Sequence, residues 1–160
     1  MKIIVAPLLL GLLAACSPQP SAEATPSAAP TASVHPVSGL QVIPLTVTSG
    51  ASVHRFEVEL AASPEAQQRG LMFRTELGDQ EGMIFPSDPP EVRGFWMKNT
   101  PLPLDIIYIG EDGRILNIHA MTTPYSLDSL YSTGITSGVL ELRGGRAEEL
   151  GIEQGDLVEW

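Results

Sequence analysis

The sequence predicts a mainly β (α+β) fold, a small antiparallel, barrel-like sheet domain with two short helices. Three observations lead to this fold class. Most apolar segments are short, rich in β-branched residues and bounded by Gly or Pro. Only two short stretches carry residues typical of helix ends, and strands and helices do not alternate as a parallel sheet would require. The length of 160 residues fits one such domain, which we place at residues 40–160.

The domain begins with two predicted strands and a helix. Residues 40–47 are β-branched and apolar, and Pro44 among them indicates an edge position or a bulge. Residues 53–60 alternate between apolar and charged side chains, which predicts a half-buried strand. Ser63 as the N-cap, followed by a proline at the first helical position, predicts a short helix that ends at Gly70.

The remaining segments follow the same rules of apolar runs bounded by Gly or Pro. They predict strands at residues 82–85, 94–98, 139–142 and 157–160, a Pro-rich loop between the first two of these, a hairpin of residues 104–109 and 114–121, a long polar loop at 122–137, and a helix at 146–150 that Gly151 ends.

The hairpin is expected at the centre of the sheet, because both of its faces are largely apolar. Pairing Ile109 with Arg114 places Asp105 and Leu116 on one face and His119 on the other. An ionised carboxyl group on an apolar face costs several kcal/mol, so Asp105 needs a partner.

The first fifteen residues predict a lipoprotein signal peptide. Lys2 is followed by an uncharged apolar run of eleven residues, too short for a bilayer span of about 20 residues. Small residues then precede Cys16, an order typical of a lipidated Cys; the alternatives are an ordinary secretory signal with a chance Cys, or a free cytosolic thiol. Ser17, by resemblance to other lipoproteins, indicates the periplasmic face of the outer membrane. Residues 16–39 are rich in Pro, Ala, Ser and Thr and predict a disordered linker.

Charge and cysteine content exclude several classes of function. The net charge is −10, with 9 basic and 19 acidic side chains. Nucleic acid is not an expected partner, because its binding depends on Lys and Arg that neutralise phosphates. An anionic bilayer surface would repel the same charge, so attachment to a membrane must come from the acyl chains on Cys16. The single Cys allows no intramolecular disulfide.

Several motifs occur in the order found in a known family. They are Glu59-Leu60-Ala61, Gln68-Arg69-Gly70-Leu71-Met72-Phe73-Arg74, Gly82-Met83-Ile84-Phe85, Phe95-Trp96-Met97-Lys98-Asn99-Thr100, Pro103-Leu104-Asp105-Ile106, Gly113-Arg114-Ile115, Val139-Leu140-Glu141-Leu142, Gly151-Ile152 and Gly155-Asp156. Together they resemble the bacterial and archaeal domain-of-unknown-function family 192, over most of the chain after residue 40. One departure is Ser87, where an aromatic residue is expected. The resemblance implies a compact β-rich domain, often exported, and no established activity.

Asp105 and Lys98 are the first candidate pair for a site. Lys98 is the only Lys after Lys2, and the prolines between Lys98 and Asp105 form a short bend across which the two can meet. One interpretation is a pocket with a perturbed acid and a cationic anchor for an anionic or polar ligand. The other is structural: an ion pair, or Asp105 accepting hydrogen bonds from loop N–H groups.

His119 and Met121 are the candidates for a metal. They lie two apart on a strand and would project together, and His and Met are ligands that Cu(I) accepts. Because Met is also a common core residue and His119 is expected on the face opposite Asp105, a hydrogen-bonded core histidine is the alternative.

Arginine and aromatic side chains complete the candidate site. Arg69 and Arg74 follow the first helix and either bind a carboxylate or phosphate or interact with the helix end. Trp96 and Phe95 point to opposite sides of their segment, so at least one belongs to the core and the other is free to line a pocket. The Gly-rich turns lack the context of a phosphate loop, and no cofactor is expected.

These residues predict a lipid-anchored, periplasm-facing binding or interaction module of the cell envelope. Its ligand-binding candidates are Trp96, Lys98, Asn99, Asp105, Arg69 and Arg74. Its partners are the membrane, through Cys16, and an unknown envelope ligand or protein. The alternative is an envelope enzyme that uses Asp105 as acid or base with Lys98. A nucleophile of familiar type is missing, which favours the binding module.

Overall fold

The fold is mainly β, as the sequence predicts, with two short helices. A computed structural model describes residues 33–160 of the chain. Its elements are β1 (Ser33–Val34), β2 (Gln41–Ser49), β3 (Ser52–Leu60), α1 (Pro64–Arg69), β4 (Glu81–Glu91), β5 (Gly94–Phe95), β6 (Leu104–Gly110), β7 (Ile115–His119), β8 (Leu130–Tyr131), β9 (Thr136–Arg143), α2 (Arg146–Leu150) and β10 (Leu157–Glu159). Neither helix of the described part is long and apolar enough to cross a membrane.

The main sheet is mixed and does not close into a barrel. Its strand order is β1-β2-β3-β4-β9-β6-β7, and β10 pairs with β2. The pairing of β3 with β4 is parallel and all other pairs are antiparallel. The antiparallel prediction is therefore wrong for one pair, since the segment that carries α1 runs back along the sheet and brings β4 in with the same direction as β3.

Both faces of the central strands β6 and β9 are covered, which explains their apolar sequences. The first face carries Ile107, Ile109 and Leu140 and packs against Ala147 of α2. The second face packs against α1 and the segments that follow it, with these buried members: Ala61, Leu71, Met83, Phe85, Met97, Leu104, Ile106, Tyr108 and Val139. Every residue of β6 is buried as a result.

The β6–β7 hairpin forms, but in a different register from the predicted one. Ile109 pairs with Ile115 and not with Arg114, and a bulge follows, so that Ile107 pairs with Ile118. The bulge moves Leu116 to the second face, where it packs against that core. His119 pairs with Ile106 and lies on the face opposite Asp105, as predicted.

Three segments differ from the prediction because tertiary pairing overrides local composition. Strand β4 continues to Glu91 through the predicted Pro-rich loop, with a register shift against β9 between Pro86 and Glu91. Strand β5 ends at Phe95, where its pairing with β8 ends, and the chain then turns through Asn99 at a positive φ of 56°. The predicted loop 122–137 contains β8, which pairs with β5, and the start of β9.

The N-terminal boundary of the domain lies earlier than residue 40. Ser33 and Val34 of β1 pair with Val42 and Gln41 of β2, so residues 33–39 belong to the folded part. Pro44 is exposed between the part of β2 that pairs with β1 and the part that pairs with β10, which fits the predicted edge position. The predicted signal peptide, Cys16 and the rest of the linker lie outside the described residues.

Candidate functional site

A pocket of about 520 Å³ opens on the second face of the sheet, beside α1. We call it the α1 pocket. Its lining residues are Glu65, Gln67, Gln68, Arg69, Gly70, Leu71, Met72, Phe73, Phe85, Arg93, Gly94, Phe95, Trp96, Lys98, Asn99, Thr100 and Glu141. Four predicted site residues are therefore brought together: Arg69, Trp96, Lys98 and Asn99.

One wall of the pocket is α1 and the turn after it. The Ser63 side chain accepts a hydrogen bond from the Ala66 N–H and starts the helix, as predicted. Gly70 ends it at a φ of 49°, with the Phe85 ring 3.4 Å from where a Cβ would stand. The turn then buries Leu71 and leaves the Phe73 side chain 64% exposed.

The turn after α1 is joined to the opposite wall by a backbone hydrogen bond. The Phe73 N–H donates to the Asn99 carbonyl oxygen over 2.8 Å. Both residues have left-handed backbone, with φ of 65° at Phe73 and 56° at Asn99. A Phe rarely adopts this conformation, and strained backbone of this kind is concentrated at functional sites.

Arg93 fixes the base of the second wall. Its guanidinium donates to the Ser87 hydroxyl at 3.1 Å and to the Gln67 amide oxygen at 3.1 Å. The same group lies 5.5 Å from the centre of the Phe95 ring. Ser87, where an aromatic residue was expected, is buried and also contacts the Thr136 hydroxyl at 3.3 Å. Ser87 thus takes part in a polar link between α1, β4 and Arg93.

Two cation–aromatic pairs flank the pocket. The Lys98 ammonium lies 5.0 Å from the centre of the Trp96 ring, and the Arg69 guanidinium lies 6.0 Å from the centre of the Phe73 ring. Both rings are partly exposed, Trp96 to 46%. Exposed aromatic rings beside cations form a surface suited to a ligand with an apolar part and a charge.

Glu141 of β9 lies at the bottom of the pocket. It is 5% exposed, and no hydrogen bond to its carboxyl group is present within residues 33–160. Burial raises the pKa of Glu141 from 4.5 to about 8, because desolvation penalises the charged form. The group is therefore mostly protonated at neutral pH, and a protonated carboxyl can both donate and accept a hydrogen bond.

Aromatic rings connect the pocket to the core beneath it. Phe85, Phe95, Tyr108 and His119 follow one another edge to face, with ring centres 5.0 to 6.1 Å apart. The Tyr108 hydroxyl donates to the Leu130 carbonyl oxygen at 2.7 Å. Burial and the nearby Glu141 carboxyl raise the pKa of Tyr108, so it remains protonated.

Asp105 does not belong to this pocket and has no ion pair with Lys98 in the described part of the chain. Its carboxylate accepts hydrogen bonds from the N–H groups of Met121, Gly145 and Ala147, at 2.8 to 2.9 Å. Two of these donors belong to the start of α2, which has no capping side chain of its own. The predicted Asp105–Lys98 pocket is wrong, and the structural alternative, acceptance from loop N–H groups, is what the structure has.

Arg74 also has a structural partner. One of its guanidinium nitrogens donates to both carboxylate oxygens of Glu59, at 2.7 and 3.0 Å, and the Glu59 side chain is almost fully buried. The His35 ring lies 3.6 Å from the same carboxylate. Arg74 is therefore not available to a ligand in the way that Arg69 is.

His119 and Met121 both line a second pocket, of about 440 Å³. The His119 Nε2 contacts the Tyr131 carbonyl oxygen at 2.9 Å and the Asn117 side-chain nitrogen at 3.3 Å. Within residues 33–160, no group of three or more His, Cys, Asp or Glu side chains is arranged to hold a metal ion. The contacts of His119 with Tyr131 and Asn117 agree with the hydrogen-bonded alternative.

Glu141, Arg93 and Phe73 are among the residues of the α1 pocket that sequence reasoning missed. Glu141 carries a signal that could have been used, since it is an acidic residue inside an apolar strand, as Asp105 is. Arg93 and Phe73 carry none, because their places depend on contacts with distant segments.

Comparisons with known proteins give a family and two solved structures. The family model DUF192, "Uncharacterized ACR", matches residues 45–160. A protein of unknown function from Novosphingobium aromaticivorans DSM 12444 is 52% identical, with a TM-score of 0.80, over 86% of this chain and 99% of that one. A protein from Sinorhizobium meliloti 1021, described as a candidate transcription regulator, is 34% identical, with a TM-score of 0.73, over 75% of this chain and 94% of that one. Among curated proteins none matches.

Proposed function

Because this chain belongs to the DUF192 family, whose function is unknown, we propose a function from its own α1 pocket: it is a ligand-binding domain of the cell envelope, held at a membrane by lipid on Cys16. The ligand is a small molecule with an apolar part. The observation that carries the proposal is the pocket itself, where exposed aromatic rings, cations and a buried carboxyl group converge.

The composition of the pocket supports binding of a small molecule. Its volume of about 520 Å³ lies within the usual range of ligand sites, roughly 300–1,000 Å³. Phe73, Phe95 and Trp96 supply accessible apolar surface, and Glu141 supplies a polar group at the bottom. Such a combination of apolar walls with a few polar groups is typical of ligand sites.

The two turns of the pocket support the same proposal. Phe73 and Asn99 hold left-handed backbone on opposite walls, joined by one hydrogen bond. A strained conformation of this kind costs on the order of 1–3 kcal/mol and persists where the surroundings hold it. Here the result is that Phe73 and Trp96 are presented to solvent beside the pocket.

Binding of nucleic acid is not part of the proposal, although one structural neighbour is described as a candidate transcription regulator. Residues 40–160 keep 8 of the 9 basic and 18 of the 19 acidic side chains. A phosphate backbone would be repelled by such a domain.

Anchoring through Cys16 is the second part of the proposal, and it follows from the order of charge, apolar run, small residues and Cys at the start of the chain. The acidic domain would be repelled by an anionic membrane, so the acyl chains must hold it there. In cells, Cys16→Ser should remove the mass of the acyl chains and shift the protein out of the membrane fraction. An unchanged intact mass would contradict the anchor.

The pocket is tested with N-phenyl-1-naphthylamine, a neutral aromatic probe that fluoresces in apolar surroundings. The protein is residues 16–160 with Cys16→Ser, so that no acyl chain competes for the probe, and it contains all of the described residues, 33–160. We expect saturable binding that Phe73→Ala and Trp96→Ala each weaken about 2- to 10-fold, the effect of losing one ring contact.

The chain offers matched controls for both variants. Tyr125 is exposed to 62% and also has a positive φ of 62°, as Phe73 does, but it does not line the pocket. Trp160 is exposed to 42%, close to Trp96, and is also outside the pocket. Tyr125→Ala and Trp160→Ala should leave the affinity unchanged. Absence of saturable binding, or equal losses in the controls, would contradict the proposed function.

A further inference from the structure

The α1 pocket gathers positive charge in an otherwise acidic domain. Three of the eight basic side chains in residues 33–160 line it: Arg69, Arg93 and Lys98. Arg93 has Glu91 at 3.7 Å, whereas Arg69 and Lys98 have no carboxylate within 4 Å among the described residues. Most basic side chains outside the pocket have partners in the protein: Arg74, Arg143 and Arg146 are in ion pairs, and Arg114 donates to the Gly155 carbonyl oxygen.

The two cations without a carboxylate are held at the pocket. Each lies over an aromatic ring that itself lines the pocket, Arg69 at 6.0 Å from the Phe73 centre and Lys98 at 5.0 Å from the Trp96 centre. The attraction between each cation and its ring holds the charged group beside the pocket. Their placement at opposite walls directs positive potential into the opening.

The bottom of the pocket does not cancel this charge. Glu141 is protonated at neutral pH, because burial raises its pKa to about 8. The other acidic residue of the lining, Glu65, is exposed on α1. Phe73, Phe95 and Trp96 provide the accessible apolar surface of the lining beside the cations.

This inference rests on the proposed function of the pocket and names its ligand class. We propose that the α1 pocket selects organic anions, with an apolar body against Phe73, Phe95 and Trp96 and a carboxylate, sulfonate or phosphate group at Arg69 and Lys98. Charge selects the ligand, and the aromatic rings hold its body. The protonated Glu141 accepts or donates one hydrogen bond to a polar atom of that body.

A matched pair of probes tests the charge requirement. 8-Anilinonaphthalene-1-sulfonate has the skeleton of N-phenyl-1-naphthylamine with one added sulfonate. With residues 16–160 carrying Cys16→Ser, the sulfonate probe should bind about 10-fold or more tightly than the neutral probe, because one charge-assisted contact supplies a factor of this size. Raising the salt concentration should reduce this preference.

Variants locate the preference in the pocket. Lys98→Met and Arg69→Gln should each reduce the affinity for the sulfonate probe about 3- to 10-fold, and by more than they reduce the affinity for the neutral probe. The control is Arg55→Gln, which removes an exposed cation outside the α1 pocket and should leave both affinities unchanged. Double replacement of Lys98 and Arg69 should make the two probes equal.

The outcomes separate this inference from the function on which it rests. Equal affinity for the two probes in the unaltered protein would overturn anion selection while the binding pocket stands. Anion selection by the pocket would also be overturned if Arg55→Gln reduced the preference for the sulfonate probe as much as Lys98→Met does. The cause would then be the overall electrostatic field of the domain. Saturable binding of neither probe would remove the proposed function itself.

Discussion

Asp105 and Glu141 are two buried carboxyl groups on neighbouring central strands, and they face opposite sides of the same sheet. Asp105 of β6 pairs with Leu142, the residue next to Glu141 on β9. The Asp105 oxygens accept three backbone hydrogen bonds, whereas no hydrogen bond reaches the Glu141 carboxyl within residues 33–160. Asp105 lies at the start of α2, and Glu141 lies at the bottom of a pocket.

The difference shows that the surroundings of a buried acid decide whether it stabilises the fold or can contact a ligand. A carboxylate whose oxygens are occupied by N–H groups stabilises the fold and has little left for a ligand. A carboxyl group that is desolvated and open to a cavity carries a cost, and a ligand can offset that cost. Burial inside an apolar strand is common to both residues, so it does not distinguish them.

Replacing Asp105 is expected to have the largest effect. Asp105→Ala leaves the N–H groups of Met121, Gly145 and Ala147 without their acceptor, and each buried group without a partner costs about 1–3 kcal/mol. We expect a loss of about 3–6 kcal/mol in the free energy of unfolding, measured by urea denaturation. Asp105→Asn keeps one oxygen and should lose less. A loss under about 1 kcal/mol for Asp105→Ala would contradict the structural role of the carboxylate.

Arg74→Met tests a third buried carboxylate, Glu59, whose partner is a side chain. The variant removes the guanidinium that contacts both Glu59 oxygens and leaves a buried charge beside His35. Loss of one partner of a buried pair typically costs about 3–5 kcal/mol. Arg55→Met, at an exposed position, is the control and should stay within about 0.5 kcal/mol. Equal stability of the two variants would show that Glu59 does not need Arg74.

Local patterns in the sequence predict most of the fold. Four predicted features depend only on neighbouring residues, and the structure has each of them. They are the Ser63 N-cap, the end of α1 at Gly70, the alternation in β3 and the hairpin turn at residues 110–113. The parallel β3–β4 pair and the bulge in β7 depend on how distant segments pack, and no local pattern reports them.

The candidate site also combines residues that local motifs predict with contacts that depend on the fold. Arg69, Trp96, Lys98 and Asn99 belong to short motifs that the sequence displays, and the pocket contains all four. The sequence correctly predicts that Asp105 needs a partner, but the donors are 16 to 42 residues away along the chain, so their identity depends on the fold. Nearness in sequence favours Lys98 as the partner, but its side chain lies over Trp96.

Glu141→Gln should change the pH dependence of stability. Between pH 4.5 and about 8 the unfolded chain releases the Glu141 proton and the folded chain keeps it. The stability that this group contributes is fully present below pH 4.5 and is lost as the pH rises to about 8, by about 1.4 kcal/mol per pH unit at most. Because glutamine does not ionise, the variant lacks this pH-dependent loss of stability.

The measurement is the difference in free energy of unfolding between the variant and the unaltered protein, from pH 4 to pH 9. This difference should favour Glu141→Gln increasingly as the pH rises and level off above pH 8, and taking the difference cancels the other ionisable groups. Tyr108 faces Glu141 and stays protonated throughout, so it does not add to the slope. A constant difference between pH 5 and pH 8 would show that Glu141 is ionised in the folded protein.

Ser63→Ala should have the smallest effect on stability. It affects the α1 pocket, which contains Glu141, and not the surroundings of Asp105. The Ser63 hydroxyl accepts from the Ala66 N–H at the start of α1, and loss of such a cap costs about 1 kcal/mol. Because α1 carries Arg69 and Gln67 of the pocket, the variant should also weaken binding of the naphthylamine probes, whereas the hydrogen bonds of Asp105 stay intact. Ser129→Ala, at an exposed position, is the control and should change neither property. A loss of stability without a loss of binding would mean that α1 supports the fold but does not shape the pocket.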